Sequence, residues 1–239
     1  MNYIKNLYVI TPFKGNDIER LKTTIFSLKK LKVGFSINHL VIHYNSKFEI
    51  IEKIKSFKKT KTYNLVPIEI KKQGIYIAIN KRLDYLRNDD SYIVLGSGDI
   101  LKLENNNKIY LLKEDITLLN YKLSNNKKIK LFRNKFSGMP YCHNAIIFKN
   151  NSLRYSTKYK ISSDYEYFMN YIKTEQIELE NCKNKINYDI KMIFEAELGI
   201  SSNSIFRKNF ENLLICFKYF GLKGVFFNLL NKLFNIFFK

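Results

Sequence analysis

The stretch from Gln73 to Leu101 limits the architecture more than any other part of the chain. Within it, Tyr92-Ile93-Val94-Leu95 is an unbroken apolar run, followed at once by Gly96-Ser97-Gly98-Asp99. A run that is apolar at every position suits a parallel strand covered on both faces, whereas a half-exposed strand alternates. Ahead of it, Ile75, Ile79, Leu83 and Leu86 recur at helical spacing, with Lys81, Arg82 and Arg87 turned towards solvent. Asn88-Asp89-Asp90 stops that helix, because short polar side chains bond their own backbone and favour turns. The stretch therefore predicts a glycine turn, a helix, and a buried strand that delivers a carboxylate at its carboxyl end. In open α/β sheets, ligands bind at that end.

The chain before it has the same rhythm. Leu7-Tyr8-Val9-Ile10 predicts a first strand ending at Thr11-Pro12. Asn16, with Glu19 three residues on, predicts a capped helix start, and Leu21, Ile25 and Leu28 give that helix one apolar stripe. A second strand falls on Leu40-Val41-Ile42 and a second helix on Phe48 to Lys59. Leu65 to Ile70 forms a third strand, where Pro67 predicts a sheet edge or an irregularity. Such alternation makes the first hundred residues a parallel, helix-covered sheet. Further on, Asn105-Asn106-Asn107 and Asn125-Asn126-Lys127-Lys128 predict loops, the second joining Ile116–Tyr121 to Ile129–Phe132 as a hairpin.

A length of 239 residues fits one domain with a short appendage. With 46% hydrophobic and 15% aromatic residues the chain is not a disordered one. A formal charge of +20 implies an anionic partner: nucleic acid, anionic lipid or a phosphorylated substrate. Three cysteines, Cys142, Cys182 and Cys216, have no C-x-x-C spacing, which argues against a disulfide framework or zinc site and for a reducing cytosol. The first residues lack the apolar region of a signal peptide, and no window reads as a membrane-spanning helix.

Several short segments resemble the nucleotide-diphospho-sugar glycosyltransferases of family 2, of the exopolysaccharide and colanic-acid type, which have the GT-A fold. Gly74-Ile75-Tyr76, with Ala78 and Asn80-Lys81, resembles their G-I-Y-D-A-M-N-K-G segment, and Gly96-Ser97-Gly98-Asp99 resembles the N-x-G-D form of their metal-binding motif. Ile10-Thr11-Pro12 resembles the end of their first strand, and Met139-Pro140-Tyr141-Cys142-His143 their M-P-x-x-H segment. Ile161-Ser162-Ser163-Asp164-Tyr165-Glu166 is similar to the segment whose aspartate deprotonates the acceptor, and Leu198-Gly199-Ile200-Ser201 to the one that closes the domain. The resemblance spans roughly residues 6 to 205.

It implies a set of roles. Asp99 would hold a divalent metal, Mg²⁺ or Mn²⁺, through a single carboxylate, with phosphate oxygens and water completing the shell. Thr11, Pro12, Gly74, Tyr76, Asn80, Ser97, Gly98 and His143 would meet the donor, His143 as a positioner of diphosphate or sugar. Asp164 would be the catalytic base. From the residues alone, Asp164 is also readable as a first-turn acid facing a positive helix end, with Ser162 and Ser163 able to cap. As a base near a helix start it would have a lowered pKa and stay ionised. His143 alone is readable as a turn or core histidine, and Asp99 as a turn residue closing a strand. Two departures fall where the family has acids: His43 ends the second strand, and Lys71-Lys72-Gln73 precedes the Gly74 turn.

From Lys223 to Lys239, Asn228, Asn231, Lys232, Asn235 and Lys239 form one narrow polar stripe in an otherwise apolar helix. So wide an apolar face packs into protein or lies in a membrane interface, and Lys208, Lys218 and Lys223 favour an anionic lipid surface. The expectation is an α/β chain with a mostly parallel central sheet: a GT-A domain over 1–205 and an amphipathic, membrane-associating tail over 206–239. Its function would be inverting transfer of a sugar from a nucleotide-sugar to a hydroxyl of a growing, lipid-linked surface glycan, at the inner face of the cell membrane. The alternatives are a basic nucleic-acid-binding protein, supported by charge alone, and an inactive relative acting as a scaffold.

Overall fold

The computed structural model describes residues 2–15, 17–57, 59–71, 74–125, 131–182, 185–194 and 204–237. The first half follows the expected alternation. Strand β1 (Asn6–Phe13) leads to helix α1 (Ile18–Lys29), then β2 (Ser36–His43), α2 (Phe48–Lys55), β3 (Tyr63–Glu69), α3 (Ile75–Leu83) and β4 (Ser91–Val94). Asn16 lies outside the described residues; Asp17 caps α1, its carboxylate accepting the Arg20 amide. The second half adds β5 (Ile100–Leu103), β6 (Ile116–Leu123), β7 (Ile146–Lys149), α4 (Ser163–Thr174), the short α5 (Leu179–Cys182), β8 (Ile186–Phe194) and α6 (Ile205–Phe237).

These strands form one eight-stranded sheet in the order β3-β2-β1-β4-β7-β6-β8-β5. The run β3 to β4 is parallel, and all four residues of β4 are buried, as its unbroken apolar sequence requires. Pro67 sits in β3 at the sheet's edge. Beyond β4 the sheet is mixed: β7 is antiparallel to both β4 and β6, β6 is parallel to β8, and β5 is antiparallel to β8. Of the expected hairpin from β6 into Ile129–Phe132, Ile129 and Lys130 lie outside the described residues. β6 pairs with β7 over Ile116–Leu118 and with β8 over Leu118–Leu123. Leu131 and Phe132 lie in a bend, while residues 126–130 fall outside the described set, as does Leu198-Gly199-Ile200-Ser201.

Tyrosine does much of the packing between the second half of the sheet and α4. Tyr92, Tyr155, Tyr165, Tyr167 and Tyr171 are all buried. A buried phenol needs a partner for its hydroxyl, and these have one: Tyr92 meets Tyr167 at 2.7 Å, and Tyr171 donates to the carbonyls of Asp115 and Lys149.

Helix α6 is broken at Gly221, whose φ of 61° and ψ of −153° no helix contains. The limbs on either side fold back on each other as an αα-hairpin. Asn228 donates to the Phe136 carbonyl and reaches the Cys216 sulfur, and Lys232 lies 3.4 Å from the Asn209 carbonyl. By composition Ile205–Leu233 is apolar enough to cross a bilayer, but folded in two it presents a short, thick paddle. The hairpin also packs on residues before 205. Ile215, Cys216, Glu211, Asn212 and Asn228 are buried, and Lys218 pairs with Glu166 of α4 at 2.5 Å. The outer face remains exposed, including Phe206, Phe210, Phe217, Leu222 and Phe226.

Candidate active site

A cavity of 740 Å³ opens at the carboxyl ends of β1 and β2 and the amino end of α3. Pro12, Phe13, Ile42, Ile70, Ile75, Ile77 and Ala78 make it largely apolar, and Tyr44, Tyr76 and Tyr159 add aromatic walls. Its charged members among the described residues are Lys14 and Lys160. Gly74 starts α3 with φ +145°, and a Cβ there would stand 3.0 Å from Ile77 Cδ1, so the turn that opens the cavity requires glycine. An apolar slot between aromatic rings, with lysines beside it, suits a flat ring carrying phosphates.

Of the residues predicted to meet a donor, Pro12, Gly74 and Tyr76 line this cavity. Others face elsewhere. The Thr11 hydroxyl is fully buried and bonds His39 Nε2 at 2.9 Å, while His39 Nδ1 meets the Tyr63 hydroxyl. The Asn80 side chain grips the backbone of Tyr155 at both ends, donating to its carbonyl and accepting its amide, each at 2.8 Å. His143 is buried and bonds the Tyr155 hydroxyl at 2.7 Å. Burial pushes its imidazole down to about 4, so it stays neutral at pH 7. The core reading of this histidine is the one the geometry favours. Sequence patterns name such residues without distinguishing contact from support. His43 is buried with Nδ1 unpartnered among the described residues, and it is Ile42 and Tyr44 on either side that line the cavity.

Asp99 closes the loop after β4. Its Oδ2 accepts the Gly96 amide at 2.7 Å and the Asn144 side-chain amide at 2.5 Å. Gly98 N–H donates to Thr24 Oγ1 at 3.0 Å, and the Ser97 hydroxyl is buried without a partner among the described residues. No group of three or more His, Cys, Asp or Glu side chains forms a metal cluster among the described residues. What this loop offers is one carboxylate at a strand end. A hard cation that takes one or two carboxylates and completes its shell with phosphate and water fits that donor set; a zinc-like, all-protein cage does not. Asn144 was not legible as a site residue, since a lone asparagine after the histidine carries no spacing signal.

Asp164 stands in the first turn of α4, with Oδ1 accepting the Tyr165 amide at 2.8 Å. The expectation of a lowered pKa is reversed. Burial outweighs the amide bonds and Lys208, with Glu211 adding repulsion, and the carboxyl is pushed up to about 6. Neither Ser162 nor Ser163 caps the helix; their hydroxyls have no partner among the described residues. A chain of supports joins this aspartate to the cavity. Tyr76 stacks on Tyr155 with 5.8 Å between centroids, and its hydroxyl donates to the Ile161 carbonyl at 2.8 Å. Tyr155, His143 and the neighbouring Asn144 carry the same support on towards Asp99.

No protein-family model and no curated protein matches the sequence. Solved structures do. Residues 1–349 of TarS from S. aureus align over 96% of this chain and 72% of theirs, with a TM-score of 0.57 and 12% identity. The same TarS fragment in complex with UDP-GlcNAc aligns over 92% and 69%, again at 0.57 and 12%. The mannosyltransferase PcManGT from Pyrobaculum calidifontis, in complex with GDP-Man and Mn²⁺, aligns over 91% and 64%, at 0.57 and 10%. At such identity the likeness establishes the fold: this α/β chain has the architecture of these glycosyltransferase structures.

Proposed function

We propose that the chain is a glycosyltransferase of the family 2 type that moves a sugar from a nucleoside diphosphate to a hydroxyl acceptor with inversion. The observation that carries this is the aromatic, lysine-edged cavity at the strands' carboxyl ends, one tyrosine away from a carboxyl held near neutrality. The TarS and mannosyltransferase complexes, which bind UDP-GlcNAc and GDP-Man on the same fold, support the donor class.

In this reading the base of the nucleotide lies between the apolar walls, and Lys14 and Lys160 face its phosphates. Asp164, ionised at pH 7, accepts the proton of the acceptor hydroxyl as the new bond to the anomeric carbon forms. The bond from that carbon to the diphosphate breaks on the opposite side, and the leaving group departs with the electron pair. A titration near 6 leaves Asp164 more basic than a free aspartate, closer to the match with pH 7 that general-base catalysis favours. Asp99 would hold the divalent ion, which when bound supplies positive charge to the departing diphosphate. Asn144 and the Gly96 amide keep that carboxylate oriented. A lipid-linked glycan acceptor is supported by the exposed apolar paddle, whose five lysines and arginines (Arg207, Lys208, Lys218, Lys223 and Lys232) outnumber its one buried acid, Glu211. Such a surface would seat the enzyme on the anionic inner face of the cell membrane.

Thermal melts of the full chain with UDP, GDP and their sugars, each with Mg²⁺ or Mn²⁺, test the donor class. A ligand at a hundredfold excess over its Kd stabilises by about 2.7 kcal/mol. Stabilisation by RNA or single-stranded DNA, with none by any nucleoside diphosphate, would replace this reading with a nucleic-acid-binding one.

A further inference from the structure

The buried carboxylate of Glu211, on the first limb of the α6 hairpin, faces the loop that precedes α4. Its oxygens accept three consecutive backbone amides: Lys160 at 3.0 Å, Ile161 at 2.9 Å and Ser162 at 2.9 Å. Arg207 Nε completes the shell at 3.0 Å. Burial alone would raise this carboxyl, but the three amides and Arg207 outweigh it and hold it below the usual carboxylate range. It is thus a fixed anion. The loop it grips has no cap of its own, since the Ser162 side chain makes no capping bond. Two residues beyond the grip lies Asp164; within it, Ile161 receives the Tyr76 hydroxyl and Lys160 lines the cavity.

We propose that Glu211 is a positioning residue for Asp164, making the C-terminal hairpin a working part of the active site. The proposal rests on Asp164 being the base for its catalytic meaning, but not for its geometry. Glu211 fixes the loop's backbone through three amides, sets where α4 begins, and places a permanent negative charge near the carboxyl that must take the proton. The charged and titratable groups facing Asp164 are Lys208 and Glu211 from α6, Tyr76 from α3 and Tyr155 from the loop after β7. Lys208 favours the ionised carboxylate and Glu211 opposes it, so α6 alone supplies both signs.

The test uses the full chain without donor. The ¹³C-carboxyl resonance of Asp164 is titrated, and amide exchange at residues 160–162 followed, in wild type, Glu211→Gln, Glu211→Asp and Lys218→Ala. Lys218 forms the other ionic anchor of the hairpin to α4 and touches none of the three amides. Glu211→Gln loses one acceptor oxygen and the charge. Exchange at 160–162 should rise by about tenfold or more, and the Asp164 midpoint should fall. Glu211→Asp, which keeps the charge, should restore the midpoint at least in part. Lys218→Ala should lower the melting temperature and leave both readings at wild-type values. Unchanged readings in Glu211→Gln, or equal changes in Lys218→Ala, would overturn the proposal. Turnover on a nucleotide-sugar separates the two levels: if Asp164→Asn retains turnover, the base assignment fails while the Glu211 result stands on its own.

Discussion

Replacing Asp164 by asparagine should stabilise the protein, and only above a definite pH. Burial holds this carboxyl at about 6 in the folded chain, against 3.8 for an ordinary aspartate. A raised folded-state value means that the native site prefers the protonated form. The carboxyl's favourable contribution is complete below about pH 4 and is lost as pH rises through about 6. A pKa unit is worth about 1.4 kcal/mol, so ionising a fully buried group with this shift would cost about 3 kcal/mol. Asp164 is partly exposed, and solvent screening reduces this to about 1–2 kcal/mol. Asparagine keeps the oxygen that accepts the Tyr165 amide and carries no charge. Asp164→Asn should therefore gain about 1–2 kcal/mol at pH 8 and nothing at pH 3.5. In a chain of this size that is about 2–8 °C in melting temperature. Thermal melts of both proteins across pH 3.5 to 8 read the difference directly, and groups common to both cancel. The reasoning fails if the variant is less stable at pH 8, or if a gain of the same size appears at pH 3.5. Turnover should fall by about 10²–10⁴ in the same variant, the loss typical of a removed general base.

Deleting residues 206–239 should destabilise the remaining domain by about 3 kcal/mol or more, because three loop amides lose their acceptor; equal melting temperatures for both chains would contradict this. Asp99→Asn should abolish Mn²⁺-dependent binding of UDP or GDP in isothermal titration while the melting curve holds; unchanged affinity would remove Asp99 from the metal site. Phe206→Ser with Phe210→Ser and Phe217→Ser should weaken sedimentation with anionic vesicles by about tenfold or more without lowering stability, since these rings are exposed. Full-chain binding to the same vesicles should fade as salt rises.

The first half of the fold was legible because its physics is local. Tyr92–Leu95 is apolar at every position, Pro67 marks an edge, and Gly74 stands where a positive φ is needed. The mixed second half was not, because partners there are chosen across long separations: β6 sits between β7 and β8, and no turn signal announces either pairing. At the candidate site, sequence alone does not separate residues that line the cavity, such as Pro12, Gly74 and Tyr76, from those bonded to the framework. Thr11, Asn80 and His143 hold the framework, on His39, Tyr155 backbone and Tyr155 hydroxyl respectively. The raised Asp164 carboxyl was missed for a similar reason. A helix start is visible in sequence, but the burial that outweighs it comes from packing of distant elements. Glu211 left no trace either: a single acid in an apolar, basic tail reads as a solubilising residue until the loop it grips is folded against it.

The Glu211 grip also orders events during synthesis. Its carboxylate is made 49 residues after the Ser162 amide it will accept. At about 5–20 residues per second, that is an interval of about 2–10 s in which the strands on either side can already associate. Throughout it the three amides of residues 160–162 lack the acceptor they have in the folded chain. The parallel sheet, the cavity and the Asp99 loop are all encoded upstream. A nascent chain can thus own the proposed donor cavity before the proposed base at Asp164 is settled. On the proposed reading, catalytic competence arrives last, with the helical hairpin that carries Glu211.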